Sequence, residues 1–168
     1  QISNSIETEI NNVINSLFPL FNSSAGEAII EKQYWLFAPG AEAKDWNEFY
    51  EKGIMAISYS FRHDLKMFKT QKDLYNKYDD LTNSTGKMNT KRALLDISQT
   101  IKKGDVVIVK KGNHECLGYG LVSSDYYYSE SGNYPHQRQV DWKSNGVWQI
   151  DNHNLPLKTL TNITEYTD

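Results

Sequence analysis

Apolar residues along this chain follow two spacings, and the switch between them falls near residue 105. From 2 to 18, Ile2, Ile6, Ile10, Val13, Ile14 and Leu17 recur at helical intervals, with Asn4 and Glu7 in capping-box register. An amphipathic helix is predicted there, ended by Pro19 and followed by a polar linker at 22–26. Two short runs at 34–37 and 54–59, rich in β-branched and aromatic residues, predict strands. Between them, 43–52 places Trp46, Phe49 and Tyr50 at i, i+3 and i+4 on a short helix closed by Gly53. A polar surface helix is expected over 70–81, with Leu74, Tyr78 and Leu81 on one side. A stronger one follows over 90–103, with Ala93, Leu94, Ile97 and Ile101 inward, Asn89 or Thr90 as N-cap and Gly104 beyond its end.

From Asp105 onward the pattern becomes that of strands. They are expected at 106–110, 116–122, 125–129, 138–143 and 147–150, the first two joined by a hairpin turn at 111–113. Gly118 and Gly120 inside the second predict a bend or a close approach of backbone. Helices interleaved with strands, the antiparallel ones gathered late, define an α+β fold: a small curled, mostly antiparallel sheet or pseudo-barrel flanked by helices, with an extra N-terminal helix. The expected organisation is a helical extension and linker at 1–32 and one domain at 33–168.

Composition narrows the chemistry. The 168 residues suffice for one domain with its own core. Cys116 is the only cysteine, so neither a disulfide framework nor a thiolate metal site can be built within one chain, and a reducing, cytoplasmic setting is expected. No run approaches a membrane span of about 18 apolar residues. A net charge of −3 argues against a surface coated with cations for bulk nucleic-acid binding, though not against a local patch. The chain starts with Gln1, and 155–166 has no recognisable closing element; both read as a piece of a longer protein.

No catalytic set is apparent. Gly86-Lys87 is followed by Met88, without the glycine a phosphate-binding loop requires. The histidines, His63, His114, His136 and His153, fall on separate predicted loops with no metal-ligand spacing, and are expected to face solvent. Cys116 reads as a small buried residue; a hydrolase pairing it with His114 is the competing assignment. What remains is an inventory of rings, amides, hydroxyls and cations, which suits binding by stacking and edge recognition of an extruded base. Candidate phosphate contacts are Lys87, Lys91, Arg92, Lys110, Lys111 and Arg138, each of which could equally belong to a solvated charged face.

Several pieces in order carry a resemblance: Gln-Tyr-Trp-Leu-Phe-Ala-Pro-Gly at 33–40, Gly-Ile-Met-Ala-Ile-Ser-Tyr at 53–59, Asn-Thr-Lys-Arg at 89–92, Lys-Gly-Asp-Val-Val at 103–107 and Arg-Gln-Val-Asp-Trp at 138–142. Over about 33–165 the chain resembles the EVE-like domain of the PUA superfamily, in the version found at the N-terminus of McrB-type AAA+ GTPases of modification-dependent restriction systems. The family often has Gly-Trp where this chain has Ser58-Tyr59, a smaller ring. The resemblance implies a module that flips a modified DNA base into an aromatic pocket walled by Trp35 and Tyr59, with Ser58 as an edge partner and Trp46 and Trp142 as further candidates. It implies as partners a AAA+ motor in the same parent chain and a nuclease subunit, with no cofactor, metal or membrane. The same inventory of residues also suits a PUA- or YTH-like RNA reader or a protein-interaction domain.

Overall fold

The computed structural model describes residues 32–151 and 154–164; the helix expected at 2–18 lies outside them. The elements in order are β1 (Tyr34–Phe37), α1 (Trp46–Lys52), β2 (Ile54–Ile57), α2 (Gln71–Thr82), α3 (Met88–Leu95), β3 (Val106–Lys111), β4 (Glu115–Val122), β5 (Tyr127–Tyr128), β6 (His136–Gln149) and β7 (Leu160–Asn162). Single 3-10 turns occupy Ala41–Ala43 and Leu65–Met67, and a π-turn, Asp96–Thr100, extends α3. The strands form one sheet in the order β2-β6-β4-β3-β1-β7, with β5 beside β6. Among the described strands only β1 and β3 run parallel. This is the α+β fold of a curled, mostly antiparallel sheet, with three helices among the described residues.

Alternation along the strands builds two cores. Trp35, Phe37, Val107 and Val109 face the helices and meet Phe49, Met55, Leu74, Leu94 and Ile97. Leu36, Val106 and Ile108 point the other way, onto Cys116, Ile150, Leu155 and Ile163. The C-terminal segment therefore does structural work that its sequence hid: β7 pairs antiparallel with β1, Phe37 opposite Leu160 and Trp35 opposite Asn162. The stretch expected to lack a closing element supplies the strand at that edge of the sheet.

Boundaries moved where tertiary contacts outweigh local pattern. The expected strands at 138–143 and 147–150 are one long strand, because β4 supplies a partner along most of it, from Val140 to Gln149. Both register shifts between β4 and β6 fall at Gly118 and Gly120. A Cβ on Gly118 would stand 2.3 Å from the Ser144 carbonyl oxygen, and one on Gly120 2.7 Å from the Trp142 ring, so the close approach is real. The strand expected at 125–129 shrinks to Tyr127–Tyr128. Lys87, not Asn89 or Thr90, caps the third helix, without a side-chain bond. Gly53 closes α1 in the left-handed conformation, φ 63.

His136 overturns the expectation of four solvent-facing histidines. It opens β6 with no exposed surface. Its Nε2 lies 2.6 Å from the Phe61 carbonyl oxygen and must donate; Nδ1 then accepts from the Tyr126 hydroxyl at 3.0 Å, which itself accepts from the Leu65 amide. This chain pins the loop after β2 to β5 and β6. Burial pushes the imidazole pKa down to about 4, and the hydrogen bond to Phe61 offsets only part of that.

Candidate nucleic-acid interface

Strand β2 delivers Tyr59 to the surface through an unusual turn. Tyr59 and Ser60 have φ of 51° and 56°, so two successive residues with side chains occupy the left-handed region. The turn is held by the Phe61 amide donating to the Ser58 carbonyl and the Ser60 amide donating to Ser58 Oγ. Strain of this kind persists only where the surroundings over-determine it, and it concentrates at ligand sites. Tyr59 is 36% exposed. Burial of the rest raises its phenol pKa, the Thr159 side chain hydrogen-bonds it and acts in the opposite sense, and Tyr78 stands near enough to add to the rise.

Thr159 leads directly into a cleft of 280 Å³ lined by Asn89, Arg92, Asp96, Lys158, Leu160, Thr161 and Asn162. Its volume lies at the lower edge of the roughly 300–1,000 Å³ usual for small-molecule sites. Helix α3 and its π-turn make one wall, β7 the other. In the π-turn the Ile101 amide bonds five residues back, to the Asp96 carbonyl. Arg92 Nε grips both Asp96 oxygens at 3.0 and 3.1 Å, and the terminal NH2 groups of Arg92 have no acceptor among the described residues. The Asp96 side chain is nearly buried and that of Arg92 is 56% exposed. Burial raises the Asp96 carboxyl above its ordinary pKa, and the bonds from Thr100 and Arg92 recover only part of this. Thr161 stands opposite Leu36, so its side chain points away from the helices; its Oγ1 is buried with no hydrogen-bond partner among the described residues.

The other expected pocket rings go elsewhere. Trp35 is wholly buried, its indole N–H donating to Asp105, so it is a core residue and not an accessible wall. Trp46 is also buried, edge-on to Trp142 at 4.8 Å, its indole bonded to Asn145. Trp142 is half-buried and donates to the Phe49 carbonyl, which ties β6 to α1. These two rings form a pair of their own, and neither lines the cleft.

The expected phosphate contacts divide in the same way. Lys91 is 4% exposed, with Nζ between both Asp79 oxygens and over the Tyr75 ring, so it is committed to holding α2 against α3. Lys110 is 2% exposed and bonds the Gly112 carbonyl; burial lowers its pKa. Arg138 is buried and spends its guanidinium on the carbonyls of Ile97, Ser98 and Ser124, two of them in the π-turn. A desolvated cation with such partners is a structural tie, not a free phosphate ligand. Lys87 and Arg92 remain exposed, and Lys111 is half-buried beside Glu115. Asp96, Lys158 and Asn162 were not foreseen. The i, i+4 spacing of Arg92 and Asp96 was the one readable signal; β7 reaches the site only by pairing with β1.

Cys116 has no exposed surface, and burial pushes its thiol up to about 12, away from the thiolate a nucleophile requires.

A family described as Domain of unknown function (DUF8426) matches residues 35–165, and the chain belongs to it. The curated proteins give no match. A solved structure, "Crystal structure of the MmI1 YTH domain", is similar at TM-score 0.35 and 13% identity, covering 68% of this chain and 66% of that one, just under two-thirds of its length.

Proposed function

We propose that this domain reads a modified base in DNA, taking the extruded base against the Tyr59 ring with its polar edge toward the cleft between α3 and β7. The observation that carries this reading is the cleft's composition. An exposed ring on a strained turn is hydrogen-bonded to Thr159, the residue between Lys158 and Leu160 of a small cavity that also holds Asn162, a desolvated Asp96 carboxylate and Arg92, whose terminal donors meet no acceptor among the described residues. Stacking would supply sequence-tolerant affinity, and a carboxylate, side-chain amides and a guanidinium can address the donors and acceptors of a base edge. The resemblance to the N-terminal domain of McrB-type GTPases supports DNA as the polymer. It also supports a parent protein whose AAA+ motor and associated nuclease are directed by this module to modified DNA.

The test is a binding panel of otherwise identical duplexes, each with one modified base, at fixed salt, competed by matched RNA. Preference for one modification in DNA is expected. Equal binding of all duplexes removes base reading, and stronger competition by RNA transfers the function to an RNA reader.

A further inference from the structure

On the other side of the same π-turn lies a larger cavity, of 520 Å³, that no part of the base site uses. Ser98, Gln99 and Ile101 form its α3 side, and Lys66, Lys102, Lys103 and Arg138 converge on it with a single carboxylate, Asp125. In a chain of net charge −3, four cationic side chains against one acid is a strong local asymmetry. A concave site of one sign with buried walls, here Ile101 and Tyr126, concentrates its field. The members are not equivalent. Arg138 is buried and donates to three carbonyls, so it contributes chiefly its field. Lys103 pairs loosely with the exposed Asp125 at 3.4 Å. Lys66 and Lys102 are exposed and have no ion-pair partner among the described residues.

We propose that this cavity is a phosphate site that holds the nucleic-acid backbone through Lys66 and Lys102, with Lys103 in support, while the neighbouring cleft holds the base. It rests on the reader function proposed above and assigns the backbone contact to residues other than those the sequence pointed to. The two cavities share the turn at 96–100, Asp96 facing one and Ser98 and Gln99 the other. They are thus separated by about the 10–12 Å width of a helix. A phosphate needs cations that are free to meet it, and the exposed lysines here satisfy that condition where the buried Lys91 and Lys110 do not.

The experiment measures duplex binding across a salt series for the wild-type chain, the Lys66→Gln/Lys102→Gln variant and Tyr59→Ala, with modified and unmodified duplexes and with inorganic phosphate as a separate ligand. Both lysines are exposed, so the variant should melt as the wild type does. Loss of two contacts should lower the slope of log affinity against log salt by about 2 and weaken both duplexes by the same factor. Tyr59→Ala should keep the slope and lose discrimination. An unchanged slope in the lysine variant overturns the phosphate site and leaves the base reading standing. If the wild type ignores DNA but binds inorganic phosphate, and the lysine variant loses it, the cavity serves a free anion; the backbone assignment and the reader function then fall together.

Discussion

The indole N–H of Trp35 donates to Asp105 Oδ2 at 3.1 Å, inside the core and 70 residues away along the chain. The same carboxylate accepts from the backbone amides of Gln33 and Lys102. One acid thus fastens the start of β1, the parallel strand β3 beside it and the exit from the π-turn. Asp105→Ala leaves three buried or half-buried donors without their acceptor, at about 1–3 kcal/mol for each one that water cannot reach. Trp35→Ala should cost about the 3–5 kcal/mol of a buried aromatic. Urea unfolding should show both losses, while DNA affinity corrected for the folded fraction stays unchanged. A selective loss of affinity would return Trp35 to the site.

Tyr59 should behave in the opposite way. Its ring is partly exposed and lies outside both cores. Tyr59→Ala should lose about 1–3 kcal/mol of binding to modified DNA with little change in melting temperature. Tyr59→Trp, which restores the larger ring, should hold or raise affinity. A large fall in melting temperature with unchanged affinity would make Tyr59 a structural residue.

Thr161 offers a control, because its hydroxyl is buried with no hydrogen-bond partner among the described residues and lies on the far face of the sheet from the cleft. Thr161→Val keeps the shape and removes an unsatisfied group, so stability should hold or rise by up to about 1 kcal/mol. Because the hydroxyl turns with Leu36 away from the cleft, affinity for modified DNA should not change. Thermal melting and a modified-duplex titration on the same variant separate the two effects. A fall in affinity without a loss of stability would bring Thr161 into recognition.

His136 makes folding sensitive to acid. The unfolded chain binds a proton at the ordinary histidine pKa of 6.5, whereas the folded one resists it until about 4. Between those values the unfolded state holds more protons, so stability is full above pH 6.5 and falls as the pH drops toward 4. The loss is up to about 3 kcal/mol. Denaturant unfolding from pH 7.5 to 4 should show this decline, and His136→Gln should flatten it. A wild-type curve flat down to pH 4.5 would mean that the imidazole is not held neutral.

The sequence by itself determined where the chain forms elements and of what kind, because period and capping are local. The 34–37 and 54–57 strands, the helix between them, the helix over 71–82 and the β3–β4 hairpin were all legible in spacing and punctuation. The glycines at 118 and 120 announced the close approach of β6. It also supplied the inventory of rings and cations, but an inventory has no direction. Whether Trp35 walls a pocket or fills a core depends on Asp105, and whether Lys91 meets a phosphate or Asp79 depends on how α2 lies on α3. Those are desolvation questions, and only the tertiary structure decides them. A cation that loses its water must find a partner within the protein, whereas the lysines at 66 and 102, left in water, keep their charge for something else. The same holds for the cleft: Asn162 carries no local mark of a site and acquires one only because β7 returns across the sheet to pair with β1.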